Sequence, residues 1–143
     1  MTRPLPAPGL PALLGGPTPP GVYRLHAGEN PSHVLALATE SDWHAARLRL
    51  TGVTGKAGFL DRCAADLDFP DWFGRNWDAL ADCLTDLSWW REAGKSRGYL
   101  VLADGWDAFR TADPEVAGTA EEIFHEATDF WADRESPLTV LLA

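Results

Sequence analysis

The feature that most constrains the fold is an uninterrupted apolar run, YLVLA, at residues 99–103. Such a run is typical of a β-strand that is covered on both faces. Residues 46–50 alternate apolar and basic side chains with the period of a half-buried strand. A last apolar run occupies residues 138–142. Amphipathic helical patterns lie between these runs, at residues 54–67, 77–87 and 117–131. Strands separated by helices require crossover connections, so the sequence predicts an α/β fold with a parallel sheet of three or more strands.

The N-terminal part of the chain differs in composition from the rest. Seven of the eleven prolines fall within residues 1–20, which predicts a Pro/Gly-rich, irregular arm that packs on the domain through its leucines. Two short apolar runs follow at residues 22–25 and 34–38, and they favour two strands arranged as a hairpin. The predicted organisation is therefore an arm over residues 1–20, an extension over 21–45 and a main domain over 46–143.

Charge and cysteine content exclude several classes of function. The 21 acidic and 12 basic residues give a net charge of −9, which excludes non-specific binding to nucleic acid or to an anionic membrane. The sequence has neither an apolar run long enough to span a membrane nor the apolar stretch of a signal peptide. We therefore expect a reduced, cytoplasmic protein that is a monomer when free. Cys63 and Cys83 are expected to be buried structural thiols.

The sequence contains no recognisable catalytic or metal-binding pattern. Its four histidines lack the spacing of metal ligands, and no nucleophile elbow, phosphate-binding loop or dinucleotide fingerprint occurs. We therefore expect a protein that is not an enzyme and that needs neither a metal nor another cofactor.

An acidic row lies on the face of the predicted helix 77–87 that is opposite to its apolar stripe. Asp78, Asp82 and Asp86 follow one another at intervals of four residues. Like charges at this spacing destabilise a helix by about 0.2–0.5 kcal/mol per pair, so helix stability does not explain the row. A solvated face, a cation site, acid–base chemistry and a docking surface are the alternatives.

Docking into a positively charged site of another protein is the use that the acidic row fits best. A single helix supplies too few oxygen atoms for a hard cation, and an exposed row is unsuited to acid–base chemistry, which needs a cleft. Aromatic residues, which are enriched at the centres of interfaces, crowd the same segment. They are Trp72, Trp77, Trp89 and Trp90.

Residues 67–85, LDFPDWFGRNWDALADCLT, resemble the central motif of the barstar family, the intracellular inhibitors of barnase-type ribonucleases. The shared pattern is Pro, an acid, two aromatics, Gly, any residue and Asn, followed by a helix that begins apolar-Asp-Ala-Leu and carries a later Asp. The similarity extends over about residues 46–142. It implies a small α/β fold with a three-stranded parallel sheet flanked by helices, to which the N-terminal extension can add strands.

The resemblance also implies a function. Members of this family block the active site of a secreted, guanyl-specific ribonuclease with an acidic helix, whose carboxylates take the places of RNA phosphates. The residues that match the family's target-binding positions are Trp72, Asn76, Trp77, Asp78, Asp82, Thr85 and Glu126. Among these, Asp82 is expected to be the dominant contact.

Three departures from the family pattern concern the identity of the target. Ala81 stands where the family has a tryptophan, Trp72 replaces a tyrosine, and Arg75 adds a positive charge at the rim. The alternative function is therefore a barstar-like adaptor or immunity protein that binds a non-ribonuclease toxin or a regulatory partner. Exposure of Asp82 close to Glu126 would favour the ribonuclease inhibitor.

Overall fold

A computed structural model describes residues 2–6, 9–25, 29–91 and 96–143. Within these residues, five parallel strands form one sheet in the order β1-β2-β5-β4-β3. The strands are β1 (Arg3–Pro4), β2 (Val22–Arg24), β3 (Trp43–Arg49), β4 (Gly98–Asp104) and β5 (Leu138–Leu142). The helices are α1 (Leu10–Gly15), α2 (Pro31–Glu40), α3 (Gly55–Asp66), α4 (Trp77–Leu84), α5 (Ser88–Arg91), α6 (Trp106–Ala112) and α7 (Pro114–Trp131). The expected α/β fold with a parallel sheet is confirmed.

The inner strand β4 is apolar up to its last residue, Asp104, because both faces of the sheet are covered. Val101 and Ala103 belong to the core cluster on one face, which also contains buried residues of α3, α4, α6 and α7. Leu100 and Leu102 belong to a second cluster on the other face, which contains buried residues of α1 and α2. The uninterrupted apolar run is therefore a strand that separates two cores.

The proline-rich arm and the extension together complete the sheet and contribute most of this second core. Strand β1 of the arm and strand β2 of the extension continue the sheet beyond β5, so the extension does add a strand, as anticipated. The leucines of the proline-rich arm pack as expected, since Leu5, Leu10, Leu13 and Leu14 are all buried. The arm is more regular than expected because it contains β1 and the short helix α1.

The prediction of a hairpin in the extension was wrong. Residues 22–24 do form a strand, but residues 34–38 lie within α2. Asn30 caps this helix, its side chain accepting a hydrogen bond from the backbone N–H of Ser32 at 2.9 Å. Val34 and Ala38, one turn apart, are the completely buried face of α2. An apolar run of five residues is compatible with either type of element, and the cap decides for a helix.

Helix α4 is shorter than the predicted helix 77–87. It ends at Leu84, and the backbone reverses at Leu87, which has a φ of +52°. The Thr85 hydroxyl donates a hydrogen bond to the Ala81 carbonyl at 2.9 Å in this last turn. Asp86 therefore lies beyond the helix, and only Asp78 and Asp82 form the acidic row on α4.

Among the described helices, none combines the length and the apolar composition that a bilayer span requires.

Candidate functional site

Aromatic side chains on its core-facing side anchor the loop at residues 68–76. Phe73 is buried and packs edge-to-face on Phe69, with a distance of 4.9 Å between the ring centroids. Trp72 points the other way and is 60% exposed, with its ring edge-on to Trp89 at 6.2 Å. The loop thus exposes the Trp72 side chain to solvent while Phe69 and Phe73 pack the loop onto the core.

Trp89 supports this loop, a role that sequence reasoning missed. Its indole N–H donates to the Leu67 carbonyl at 3.3 Å, and the neighbouring indole of Trp90 donates to the same oxygen at 3.1 Å. The Trp89 ring also packs edge-on against Phe69 at 5.8 Å. A tryptophan pair soon after the motif was the available signal, but its partners depend on how α5 folds back onto the end of α3.

Asn76 begins the acidic helix. Its side-chain oxygen accepts a hydrogen bond from the backbone N–H of Ala79 at 2.8 Å, in the geometry of an N-cap. A Cβ atom at Gly74 would lie 3.2 Å from the Asn76 amide nitrogen, so the glycine leaves room for the capping side chain. Asp78 follows in the first turn, where the helix dipole favours a negative charge.

Loss of this cap should be measurable as a loss of stability. We expect Asn76→Ala to lower the free energy of unfolding by about 1 kcal/mol, the usual cost of removing an N-cap. Asn76→Asp keeps an acceptor at the same place and should remain close to wild type. Urea unfolding followed by circular dichroism measures both changes. Equal stability of Asn76→Ala and wild type would show that the cap does not hold the helix end.

Asp78 and Asp82 lie one turn apart on α4, and both are exposed. Neither forms an ion pair or a hydrogen bond through its carboxylate with any residue that the structure describes. Thr85 ends the helix and is half-buried, with its hydroxyl directed back to the helix carbonyls. The helix therefore presents two unpaired carboxylates, with Thr85 at the far end of the row.

Trp77 is partly buried and connects α4 to the core rather than standing free. Its ring lies 6.0 Å from that of Phe59, and the Lys56 ammonium lies 5.6 Å from the Trp77 ring centroid. A cation at this distance interacts favourably with the ring. Among the predicted site residues, Trp77 thus has a packing role that Trp72 lacks.

Glu126 is exposed on α7, the helix that packs against α4. The two helices are fixed to each other by a buried hydrogen bond of 2.7 Å from the Trp131 indole N–H to the Leu84 carbonyl. Glu126 has no ion pair among the described residues either. The neighbouring helices therefore expose Asp78, Asp82 and Glu126, and α7 exposes further carboxylates at Glu115, Glu122 and Asp129.

A family model described as Barstar (barnase inhibitor) matches residues 43–143. This chain belongs to the barstar family. The match begins at the first residue of β3 and includes the whole loop, α4 and α7, so the resemblance carried by residues 67–85 is confirmed. No curated protein matches the chain.

The departures from the barstar pattern have local structural consequences. Arg75 has a φ of +52°, and its guanidinium pairs with Asp61 on α3 at 2.8 Å. Both side chains are exposed, so this pair leaves a partly neutralised positive charge beside the loop. Ala81 is half-buried on α4, and the small side chain leaves the helix flatter than a tryptophan would.

The barstar domain offers no metal centre within the described part of the chain. No group of three or more His, Cys, Asp or Glu side chains there has the arrangement of metal ligands. Cys63 and Cys83 are free and fully buried, in agreement with the expectation of structural thiols.

The two thiols should be unreactive in the folded protein. Burial raises the pKa of Cys83 from 9.0 to about 11, and the Asp82 and Asp86 carboxylates act in the same direction. Burial, with a contribution from Asp66, also raises the pKa of Cys63. We expect iodoacetamide at pH 8 to modify neither thiol in the native protein and both in urea, because the thiolate is the nucleophile. Mass spectrometry counts the adducts.

The same shifts predict how stability depends on pH. In the unfolded chain the Cys83 thiol loses its proton near pH 9.0. In the folded chain it keeps this proton up to about pH 11. The folded state therefore binds more protons in this window, so the free energy of unfolding should fall as the pH rises through it. Stability that stays constant across this window, or rapid alkylation of the native protein, would contradict the buried state of the thiols.

Proposed function

We propose that this chain inhibits a secreted ribonuclease of the barnase-like, guanyl-specific class by blocking its active site. The observation that carries the proposal is the exposure of Asp78 and Asp82 on α4 and of Glu126 on the packed helix α7, each without an ion pair among the described residues. Membership of the family described as barnase inhibitors supports the same conclusion.

The chemistry of the proposed complex follows from what a ribonuclease must do. Its cleft holds RNA phosphates with cationic side chains, and these can bind carboxylates through charge-assisted hydrogen bonds. Asp78 and Asp82 take the places of phosphates along the cleft, with Glu126 as a third acidic contact. Trp72 contacts the target from the loop, and Asn76, Trp77 and Thr85 position and border the acidic helix.

Rigidity of the acidic surface supports tight binding. Asn76 fixes the start of α4, and the Trp131–Leu84 hydrogen bond fixes its end against α7. A surface that is already in its binding conformation loses little conformational entropy on association. The helix therefore needs no rearrangement before it enters a cleft.

The test is the titration of a small guanyl-specific ribonuclease with the purified protein. We expect inhibition that is complete near a one-to-one ratio, with an association rate that falls as the salt concentration rises, because charge attraction steers the encounter. Absence of inhibition across several such ribonucleases would reject the proposal. An inhibition that is independent of salt would reject the role of the carboxylates.

A second candidate is a barstar-like adaptor or immunity protein for a toxin that is not a ribonuclease. The half-buried Ala81 and the Arg75–Asp61 pair favour it, because they change the surface beside the acidic row. In that case the same acidic helix binds a different basic site. Binding to such a toxin, with no inhibition of ribonucleases, would distinguish this candidate from the first.

A further inference from the structure

A cavity of about 140 Å³ lies between the proline-rich arm and the segment that the barstar family matches. Leu13, Leu14 and Thr18 line it from the arm, and Trp43 and Arg97 line it from the matched segment. Because the family match begins at residue 43, the matched segment alone does not form this cavity. The acidic residues of α4 take no part in its walls.

Hydrogen bonds fix the walls of the cavity. The Trp43 indole N–H donates to the Leu14 carbonyl at 3.2 Å, which joins the start of β3 to α1. The backbone N–H groups of Gly16 and Thr18 both donate to the Ala12 carbonyl at 3.1 Å. The Gly16 φ of +111° closes the end of α1. The cavity is thus a defined part of the fold.

Two polar side chains at the cavity, those of Thr18 and Arg97, have no partner among the described residues. The Thr18 hydroxyl makes no hydrogen bond there, and it is not fully enclosed by protein, so a molecule in the cavity can reach it. Arg97 is exposed and forms no ion pair in the same part of the chain. Asp42 and Glu135 line an adjoining hollow together with Arg97. One cationic and one hydroxyl donor therefore stand at an otherwise apolar cavity.

We propose that this cavity binds a small monocarboxylate with an aromatic ring or a branched aliphatic body. An apolar cavity of about 150 Å³ accommodates benzene, so the volume suits one ring or a chain of similar size. The apolar body packs against Leu13, Leu14 and Trp43, while the carboxylate accepts hydrogen bonds from Arg97 and Thr18. Small-molecule sites commonly combine apolar walls with a few such placed polar groups.

The test compares phenylacetate with its neutral isostere phenylacetamide, using the full chain labelled with ¹⁵N. The Trp43 indole N–H lies in the cavity wall and reports binding through its NMR signal. We expect saturable binding of phenylacetate, with phenylacetamide about tenfold weaker, because a hydrogen bond to a charged group is the stronger one. Arg97→Gln should lower the affinity for phenylacetate to a similar degree, and Thr18→Val should lower the affinity for both ligands.

Arg110→Gln is the matched control, because it removes the same charge from α6, which does not line the cavity. It should bind phenylacetate as the wild type does. The proposal is overturned if phenylacetate causes no saturable shift of the Trp43 signal, or if it binds no better than the amide. Unchanged binding to Arg97→Gln and Thr18→Val would overturn it as well. Ribonuclease inhibition should be the same with and without phenylacetate, so the two proposals stand or fall separately.

Discussion

Asp82→Asn is expected to weaken ribonuclease inhibition by about 2–5 kcal/mol, the usual effect of truncating one partner of a buried charge pair. This corresponds to an increase of the inhibition constant by roughly thirtyfold to several-thousandfold. Asp82 lies on the exposed face of α4 without an ion pair in the described part of the chain, so its carboxylate is available to a cation of the proposed target. Close charge pairs in the barnase–barstar complex couple by about 1.5–7 kcal/mol.

The same substitution should not destabilise the protein. Removal of one of two like charges at a spacing of four residues favours the helix by about 0.2–0.5 kcal/mol. Asp82→Asn is therefore expected to be at least as stable as the wild type while it binds more weakly. Urea unfolding and inhibition titrations, performed on the same preparation, separate the two effects.

Asp42→Asn is the matched control for this experiment. Asp42 is exposed in the turn between α2 and β3, and its φ of +65° is one that asparagine tolerates. The variant makes the same change in net charge far from α4 in sequence and outside the proposed site. Inhibition by Asp82→Asn that equals the wild type, or an equal loss in Asp42→Asn, would refute a specific contact at Asp82.

The sequence predicted the elements whose signals are local and strong. The runs at residues 99–103 and 138–142 are strands, and burial on both faces makes them apolar apart from Thr139. The run at residues 34–38 misled the prediction, since its apolar pattern is too short to distinguish a strand from a helix. The Asn30 cap was the deciding signal. The early end of α4 did not follow from the apolar pattern, and the chain beyond it includes a positive φ at Leu87, which a leucine rarely adopts.

The candidate site was predictable where helical geometry alone fixes a side chain. The exposure of Asp78 and Asp82 follows from their position opposite the apolar stripe of α4. The support of Trp72 by Trp89 and the pairing of Arg75 with Asp61 did not follow. Both contacts join segments that are distant in the chain, and only the packing of α3 and α5 around the loop brings them together.

Deletion of residues 1–41 is expected to abolish stable folding of the remaining chain, although the family match begins only at residue 43. The deletion removes α1 and α2, which cover the second face of the sheet. Leu100, Leu102, Leu141 and Trp43 would then be exposed. Burial of a large apolar side chain contributes about 1.5–3 kcal/mol, so the four together contribute roughly 6–12 kcal/mol as an upper value.

A loss of this size is comparable to the whole stability of a small domain, about 5–15 kcal/mol. Circular dichroism and urea unfolding of the truncated chain measure it directly. Deletion of the first four residues is the control, because it removes the exposed edge strand β1 and the Thr2–His125 hydrogen bond but keeps Leu5 in the second core. The chain with this shorter deletion should unfold cooperatively, at a urea concentration close to that of the full-length chain.

The alternative outcome has a specific physical meaning. An exposed apolar patch of this kind drives association, so a truncated chain that survives should do so by covering its second face with another copy. Its unfolding midpoint would then rise with protein concentration, as sedimentation and urea titrations at several concentrations can establish. A truncated chain that is monomeric and as stable as the full-length protein would contradict the assignment of the extension as an integral layer of the fold.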